Sequence, residues 1–291
     1  MMTETRIKER IKAFVLRYVW FVRRKILAIC EGIKYFFVTP EVDQYFYVVS
    51  CERNAGSDAI RCLESVYDQT YTRSHLRHLF IDDDSDDGTH KLILDWLAAH
   101  PDHNVEYIHN LHKQGGTSNT VKGFRMAPVD AVVMEVNGDD WLPDHGVAQF
   151  FNKIYANSDV WMTYNTLKFS DGPPAPWAGK WSDEVIRNNT FRDSETWTTG
   201  HLHTFRKRLF DHVGEDTFVD PVTGDYWECA DDQAIYLSMF ELAGQHSKNI
   251  NRISYVYNFN ETSHAYHDND KSVATAKRIR EMERYQSLKQ L

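Results

Sequence analysis

The 291-residue sequence lacks the marks of several large protein classes. It has no broad basic field: 33 Lys and Arg stand against 42 Asp and Glu, giving a net charge of -9. A nucleic-acid partner is therefore not expected. No uncharged apolar run approaches the ~18 to 20 residues that a membrane span needs. No clean apolar core precedes a small-residue cleavage site, so no signal peptide is read. The four cysteines, Cys30, Cys51, Cys62 and Cys229, show no Cys-x-x-Cys spacing. They read as free thiols in a reducing, cytoplasmic setting. There is no internal repeat and no low-complexity tract. With 42% hydrophobic and 13% aromatic residues, the chain can bury one large core.

Charge is unevenly spread. Residues 1–40 carry nine Lys/Arg and three Asp/Glu, a net +6, which leaves -15 on the remaining 251 residues. In residues 5–38, Ile7, Ile11, Val15, Tyr18, Val22, Ile26, Ile29 and Ile33 recur at three- and four-residue steps. This predicts a helix with one apolar stripe among basic side chains. Such a helix either lies peripherally on an anionic membrane, with Trp20 and Phe21 at the interface, or packs on the domain or a second subunit. Residues 1–40 are read as this segment, 41–270 as the main domain and 271–291 as a C-terminal helix.

After Pro40, short β-rich runs alternate with helical patterns. Strands are expected at 45–49, 78–81, 105–108, 131–136, 159–164 and 253–259, with helices at 57–69, 89–100, 117–126, 143–156, 231–242 and 272–290. Residues 200–210 are read as leading into a helix, and 165–200 as a tryptophan-bearing functional loop region that sets the acceptor. The alternation predicts an α/β fold with a mostly parallel central sheet and helices on both faces. Ligands of such sheets sit outside the carboxyl ends of the strands. Three polar loops fall there: 50–56, 82–89 and 137–140. The third continues the apolar run Ala131–Val136 into Asn137-Gly-Asp-Asp140. Adjacent carboxylates at the end of a buried strand are costly unless a cation meets them.

A sugar nucleotide would meet these residues well. Its diphosphate needs Mn2+ or Mg2+ on oxygen ligands, which Asp139 and Asp140 can supply. Its base and ribose need acceptors such as Glu52, Asn54, Asp83 and Asn137. A carboxylate near the acceptor hydroxyl would take its proton, and Asp231 and Asp232 are the candidates. Capping of the following helix is the plainer role for either acid. His201, His203, His264 and His267 are weak signals singly. His264 or His267, in the polar loop after the last strand, is the candidate for a metal or diphosphate ligand.

Residues 45–89 resemble the start of a family 2 glycosyltransferase with the Rossmann-like GT-A fold. The similarity rests on Asn54, Leu63-Glu-Ser-Val66, Gln69-Thr-Tyr71 and Asp82-Asp-Asp-Ser-Asp-Asp-Gly-Thr89. It continues through Asn110, Asn119, the Asn137-Gly138-Asp139-Asp140 stretch, Gly200 to Phe210, and Asp231-Asp232. The ordered set covers roughly residues 44–245. The resemblance implies inverting transfer from a nucleotide-diphosphate sugar, most commonly a UDP-sugar, to a hydroxyl of a glycan or other acceptor. It implies that Asp83 contacts the base, Asn137 faces the ribose, Asp139 holds the metal and Asp232 is the general base. His264 or His267 would complete the metal site, with His264 preferred. Two departures stand out: Asn137 replaces the first acid of Asp-x-Asp, and Asp231 replaces a Glu. The loop 221–229 also looks longer than the family's usual spacing, which keeps Asp231 open as the base. Competing readings are a catalytically inactive sugar-nucleotide or glycan-binding module and a sugar-phosphate nucleotidyltransferase. The single Arg and single Gly of Ser50-Cys-Glu-Arg-Asn-Ala-Gly56 argue against the latter.

Overall fold

A computed structural model of the chain describes residues 4–194, 197–259 and 269–291. A seven-stranded sheet runs in the order β3-β2-β1-β4-β6-β5-β7. Its first half is parallel. β1 (Phe46–Glu52) lies between β2 (Leu76–Asp82) and β4 (Val132–Glu135), and β3 (Val105–His109) forms the edge. The core strands are buried on both sides, as their continuous apolar runs require. The register pairs Glu52 with Asp82, and Val49 with Glu135. All three polar loops therefore emerge on one edge.

The second half departs from the sequence pattern. Residues Gly200–Arg206 form β6, antiparallel to both β4 and β5 (Met162–Phe169), where a lead into a helix was expected. The helical part is only Lys207–Phe210 (α7). The last strand, β7, spans Ser247–Tyr257 and starts six residues before the expected point. Its polar first half lies at the sheet edge and is only partly buried, which hides a strand from a hydrophobic pattern.

Helices cover both faces. α2 (Ser57–Tyr67), α3 (Thr89–Ala99) and α5 (Val147–Tyr155) bury Leu63, Trp96, Phe151 and Ile154 in one core. α4 (Gly116–Met126) and α8 (Asp231–Ala243) bury Phe124, Tyr236 and Phe240 in the other. The short α6 (Asp183–Asn188) lies within the 165–200 stretch. Its neighbour Trp181 is buried against Phe191 and Phe240, and only Trp177 of that stretch's tryptophans is strongly exposed.

The C-terminal helix α9 (Asn269–Glu281) is shorter than the expected 272–290. Residues 282–291 instead follow α8 without helical structure. The Tyr285 amide and the Ser287 hydroxyl donate to Glu241, and the Leu288 amide donates to Leu242 O. Beneath them, Arg192 and Glu241 form a fully buried bidentate pair at 2.7 and 3.1 Å.

The N-terminal helix α1 (Glu4–Phe36) joins the domain at its end. Tyr35 is buried edge-on against Phe150, and Asn251 donates to Glu31 at 3.2 Å. The described part of the predicted stripe does not join it: Val15, Tyr18, Val22, Ile26, Ile29 and Ile33 are all exposed. Among the described residues no helix is long and apolar enough to cross a membrane.

Candidate active site

The site is assembled from four strand and helix ends. At the end of β2, Asp83 accepts from Gln114 N at 2.7 Å, Gly115 N at 2.8 Å and Asn110 Nδ2 at 2.9 Å. Burial pushes its proton affinity up. The nearby amides of Asn119, Gln114, Asn110 and Gly115 outweigh that and leave it below the usual carboxylate range. Asn119 is buried and accepts from Asn110 Nδ2 at 2.8 Å, so the two amides set the shape of the Asp83 pocket. The neighbouring Asp82 is turned away, held by Tyr107 Oη and His109 Nδ1.

Asn54 sits beside this loop with a different task. Its Nδ2 donates to Asp86 Oδ1 at 2.8 Å and its Oδ1 accepts from Asp86 N at 3.0 Å. Arg53 binds the same carboxylate at 2.9 Å. Loops 50–56 and 82–89 are thereby clipped together, with Asn54 and Asp84 in the left-handed conformation that Asn and Asp tolerate.

At the end of β4, Gly138 passes so close to β1 that an added Cβ would lie 2.6 Å from Glu52 Cβ and 2.8 Å from Phe80 Cζ. This close approach places the Asn137–Asp140 turn against Glu52. Burial first, and then the Asp139 charge, raise the proton affinity of Glu52 well above normal; the same two causes act on Asp140. Asp140 is buried and faces inward. It accepts from Tyr255 Oη at 2.5 Å and from Asn258 N at 2.7 Å, and Asn137 Nδ2 lies 3.5 Å away. A bridge between Trp141 and Val256 sets this orientation by tying the turn to β7. Asp139 is the half-buried acid of the turn. Like charges gathered in low-dielectric surroundings suit a divalent cation at Asp139, which would also relieve Glu52.

The acid pair opens α8. Asp232 accepts from Gln233 N at 2.8 Å. Burial, reinforced by Asp231, raises its pKa to about 7. Asp231 is also raised by burial, against the stabilising bonds of its own and Asp232's amides and of Thr117. α4 links the pair to the Asp83 pocket: the Gly115 amide binds Asp83, and a Cβ on the next residue, Gly116, would lie 3.9 Å from Asp231 Oδ2. His264 and His267 lie outside the described residues.

Sequence reasoning missed Glu135, Tyr236, Tyr255 and Asn258. Glu135 is a lone acid in an apolar strand, two residues before Asn137. It is buried, and Tyr236 Oη donates to it at 2.5 Å. Only its charge in that run could have flagged it.

The sequence model for glycosyl transferase family 2 matches residues 47–214. The chain belongs to glycosyl transferase family 2. The family match ends before Asp231 and Asp232, so the case for that pair rests on their placement. No curated protein matches the chain by sequence. Among solved structures, S. aureus TarS 1-349 in complex with UDP-GlcNAc has a TM-score of 0.59 at 14% identity, over 77% of this chain and 61% of that one. The mannosyltransferase PcManGT from Pyrobaculum calidifontis, in complex with GDP-Man and Mn2+, has a TM-score of 0.55 at 17% identity, over 88% and 68%. GalNAc-T7 with UDP, GalNAc and Mn2+ has 0.56 at 14%, over 82% and 48%. The family 2 chain thus spans about three fifths of the TarS structure and shares the GT-A fold with these enzymes.

Proposed function

We propose that this family 2 member is a metal-dependent inverting glycosyltransferase, taking a sugar from a nucleotide-diphosphate sugar, a UDP-sugar first, to a hydroxyl of a glycan or other acceptor. The observation that carries the reading is the division of carboxylates on one sheet edge. Asp83 is held ionised by amides, Glu52 and Asp139 crowd each other, and Asp232 has a pKa of about 7. Neighbours solved with nucleotide sugars and Mn2+ on the same fold support it.

In this reading Asp83 and the amides of 110–119 receive the base, and Asn137 faces the ribose. Glu52, beside Gly138, closes the wall behind them. A Mn2+ or Mg2+ ion held by Asp139, with His264 or His267 as a further ligand, would neutralise the departing diphosphate. Asp140, engaged by Tyr255 and Asn258, anchors the turn that presents Asp139. Asp232 accepts the acceptor hydroxyl's proton as its oxygen attacks the anomeric carbon from the face opposite the diphosphate. Asp231 opens α8 beside Gly116 and sets a like charge next to Asp232. The exposed stripe and basic flanks of α1 suit an anionic membrane surface or a second subunit.

The test is release of nucleoside diphosphate from a panel of nucleotide sugars, with and without Mn2+ and acceptor. Turnover that survives both Asp139→Ala and Asp232→Asn refutes the mechanism. Metal-dependent nucleotide binding with no turnover on any acceptor would make the chain a binding module.

A further inference from the structure

A second cluster of metal-binding groups lies within electrostatic reach of the acid pair and does not include Asp139. β4 and β6 run antiparallel with Met134 opposite Thr204, so the next step of the ladder brings Glu135 opposite His203. His201 and His203, two residues apart on β6, share a face. One ligand atom from each of Glu135, His201 and His203 lies within 4.8 Å of the others, and the His201 Nδ1 to Glu135 Oε2 distance is 3.8 Å.

The surroundings are built for a ligand. Both Nδ1 atoms, of His201 and His203, are buried and make no hydrogen bond, although His203 is only 1% exposed. An orphaned buried ring nitrogen is uncommon and needs a partner. The rings are fixed by stacking, His203 on Tyr236 at 3.8 Å and His201 on Tyr255 at 4.8 Å. Outer contacts already orient the donors: His203 Nε2 lies 3.3 Å from Thr199 Oγ1, and Tyr236 Oη donates to Glu135. Metal-bound histidines and carboxylates are characteristically held in this way. Burial keeps both imidazoles neutral, with their lone pairs available for coordination. Donors around a tetrahedral ion stand about 3.4 Å apart for bonds near 2.0–2.1 Å. The 3.8 Å between His201 Nδ1 and Glu135 Oε2 is already near that value.

We propose that Glu135, His201 and His203 form a second metal site, selective for a borderline transition ion such as Zn2+ and distinct from the diphosphate-bound ion at Asp139. Two imidazoles and one carboxylate favour such an ion over the oxygen-seeking Mg2+. The ion would brace β4 against β6. Through Tyr236, which binds Glu135 one turn after Asp232, it would also brace the start of α8.

The experiment uses the full chain, stripped of metal and free of nucleotide, titrated with Zn2+ and separately with Co2+. One ion per chain is expected, with the intense visible bands of four- or five-coordinate Co2+ bound to nitrogen. His201→Asn/His203→Asn should remove those bands while retaining Mn2+-dependent nucleotide binding. Glu135→Gln, which still accepts from Tyr236, should bind Zn2+ more weakly by over the ~10–100-fold typical of losing an outer partner. Asp139→Ala should leave the bands in place. The proposal fails if the wild-type chain binds no ion without nucleotide, if Glu135→Gln binds as tightly as wild type, or if Asp139→Ala abolishes the bands.

Discussion

Replacing Asp232 with Asn removes a carboxyl that the folded chain holds at a cost. Burial and the Asp231 charge raise its pKa from 3.8 to about 7. At 1.36 kcal/mol per tenfold change in proton affinity, the ionised form costs the fold about 4 kcal/mol. Solvent reaching the half-buried side chain screens part of this, which leaves about 2–4 kcal/mol. The sign follows from linkage. Below pH 3.8 both folded and unfolded chains hold the proton, and the penalty is absent. Between 3.8 and about 7 only the folded chain holds it, so the penalty grows with pH. Above that range it is complete. The introduced carboxamide does not titrate and still accepts from Gln233. Asp232→Asn should therefore melt close to wild type near pH 4 and about 4–8 °C higher at pH 8, at about 2 °C per kcal/mol in a chain of this size. Loss of a general base should lower turnover by about 10²–10⁴-fold in the same variant. Wild-type kcat/KM should fall about tenfold per pH unit below about 7. Thermal melts at several pH values, run beside diphosphate-release assays, test both arms. A variant less stable than wild type at pH 8, or a stability gain independent of pH, refutes the electrostatic account. Retained turnover with Asp231→Asn inactive moves the base to Asp231.

Other outcomes follow from the same geometry. Asp139→Ala should abolish Mn2+-stimulated nucleotide binding and raise the melting temperature without metal, because it relieves Glu52 and Asp140; calorimetry reads both. Gly138→Ala drives a Cβ to 2.6 Å from Glu52 Cβ. It should cost about 1–3 kcal/mol in chemical denaturation and weaken donor binding by displacing the turn. Arg192→Ala leaves Glu241 buried without its bidentate partner, so a loss of about 3–5 kcal/mol in urea melts is expected. Deleting residues 1–30 should reduce sedimentation with anionic vesicles or dissociate an oligomer while nucleotide affinity stays unchanged; lost nucleotide affinity would make α1 part of the domain core.

The parallel half of the sheet was legible because its inner strands β1, β2 and β4 are largely buried and carry apolar runs, whereas β3 at the edge is only half-buried. Once Phe46–Glu52, Leu76–Asp82 and Val132–Glu135 are parallel neighbours, their polar loops have to share one edge. β6 was hidden because His201, His203 and Thr204 occupy strand positions where a hydrophobic pattern expects apolar side chains. The helix predicted over 272–290 failed after Glu281 because Tyr285, Ser287 and Leu288 bond to α8 rather than to their own backbone. Neither partner of Asp140 could be read locally, since Tyr255 and Asn258 lie 115 and 118 residues away. The two-fold ambiguity of Asp139-Asp140 is a problem of orientation, and only the pairing of Trp141 with Val256 gives the direction in which each carboxylate points.

The carboxylates on this edge share a functional group and differ in their donors, which separates their chemistry. Asp83 has backbone and side-chain amides on its oxygens and stays ionised, so it suits holding a neutral base and not taking up a proton. Asp140 has a phenol and an amide but is buried beside Asp139, so its role is fixed by structure. Glu52 and Asp139 set like charges against each other in buried surroundings, a conflict that a divalent ion resolves. Asp232 has a short bond from Gln233 and a like-charged neighbour, which leaves it half-protonated near neutral pH. An ion bound at Glu135, which already feels Asp231 and Asp232, would lower the proton affinity of that pair. If both metal sites fill, the acid limb of the pH–rate profile should move down when Zn2+ is added at saturating Mn2+, and this movement should vanish in Glu135→Gln.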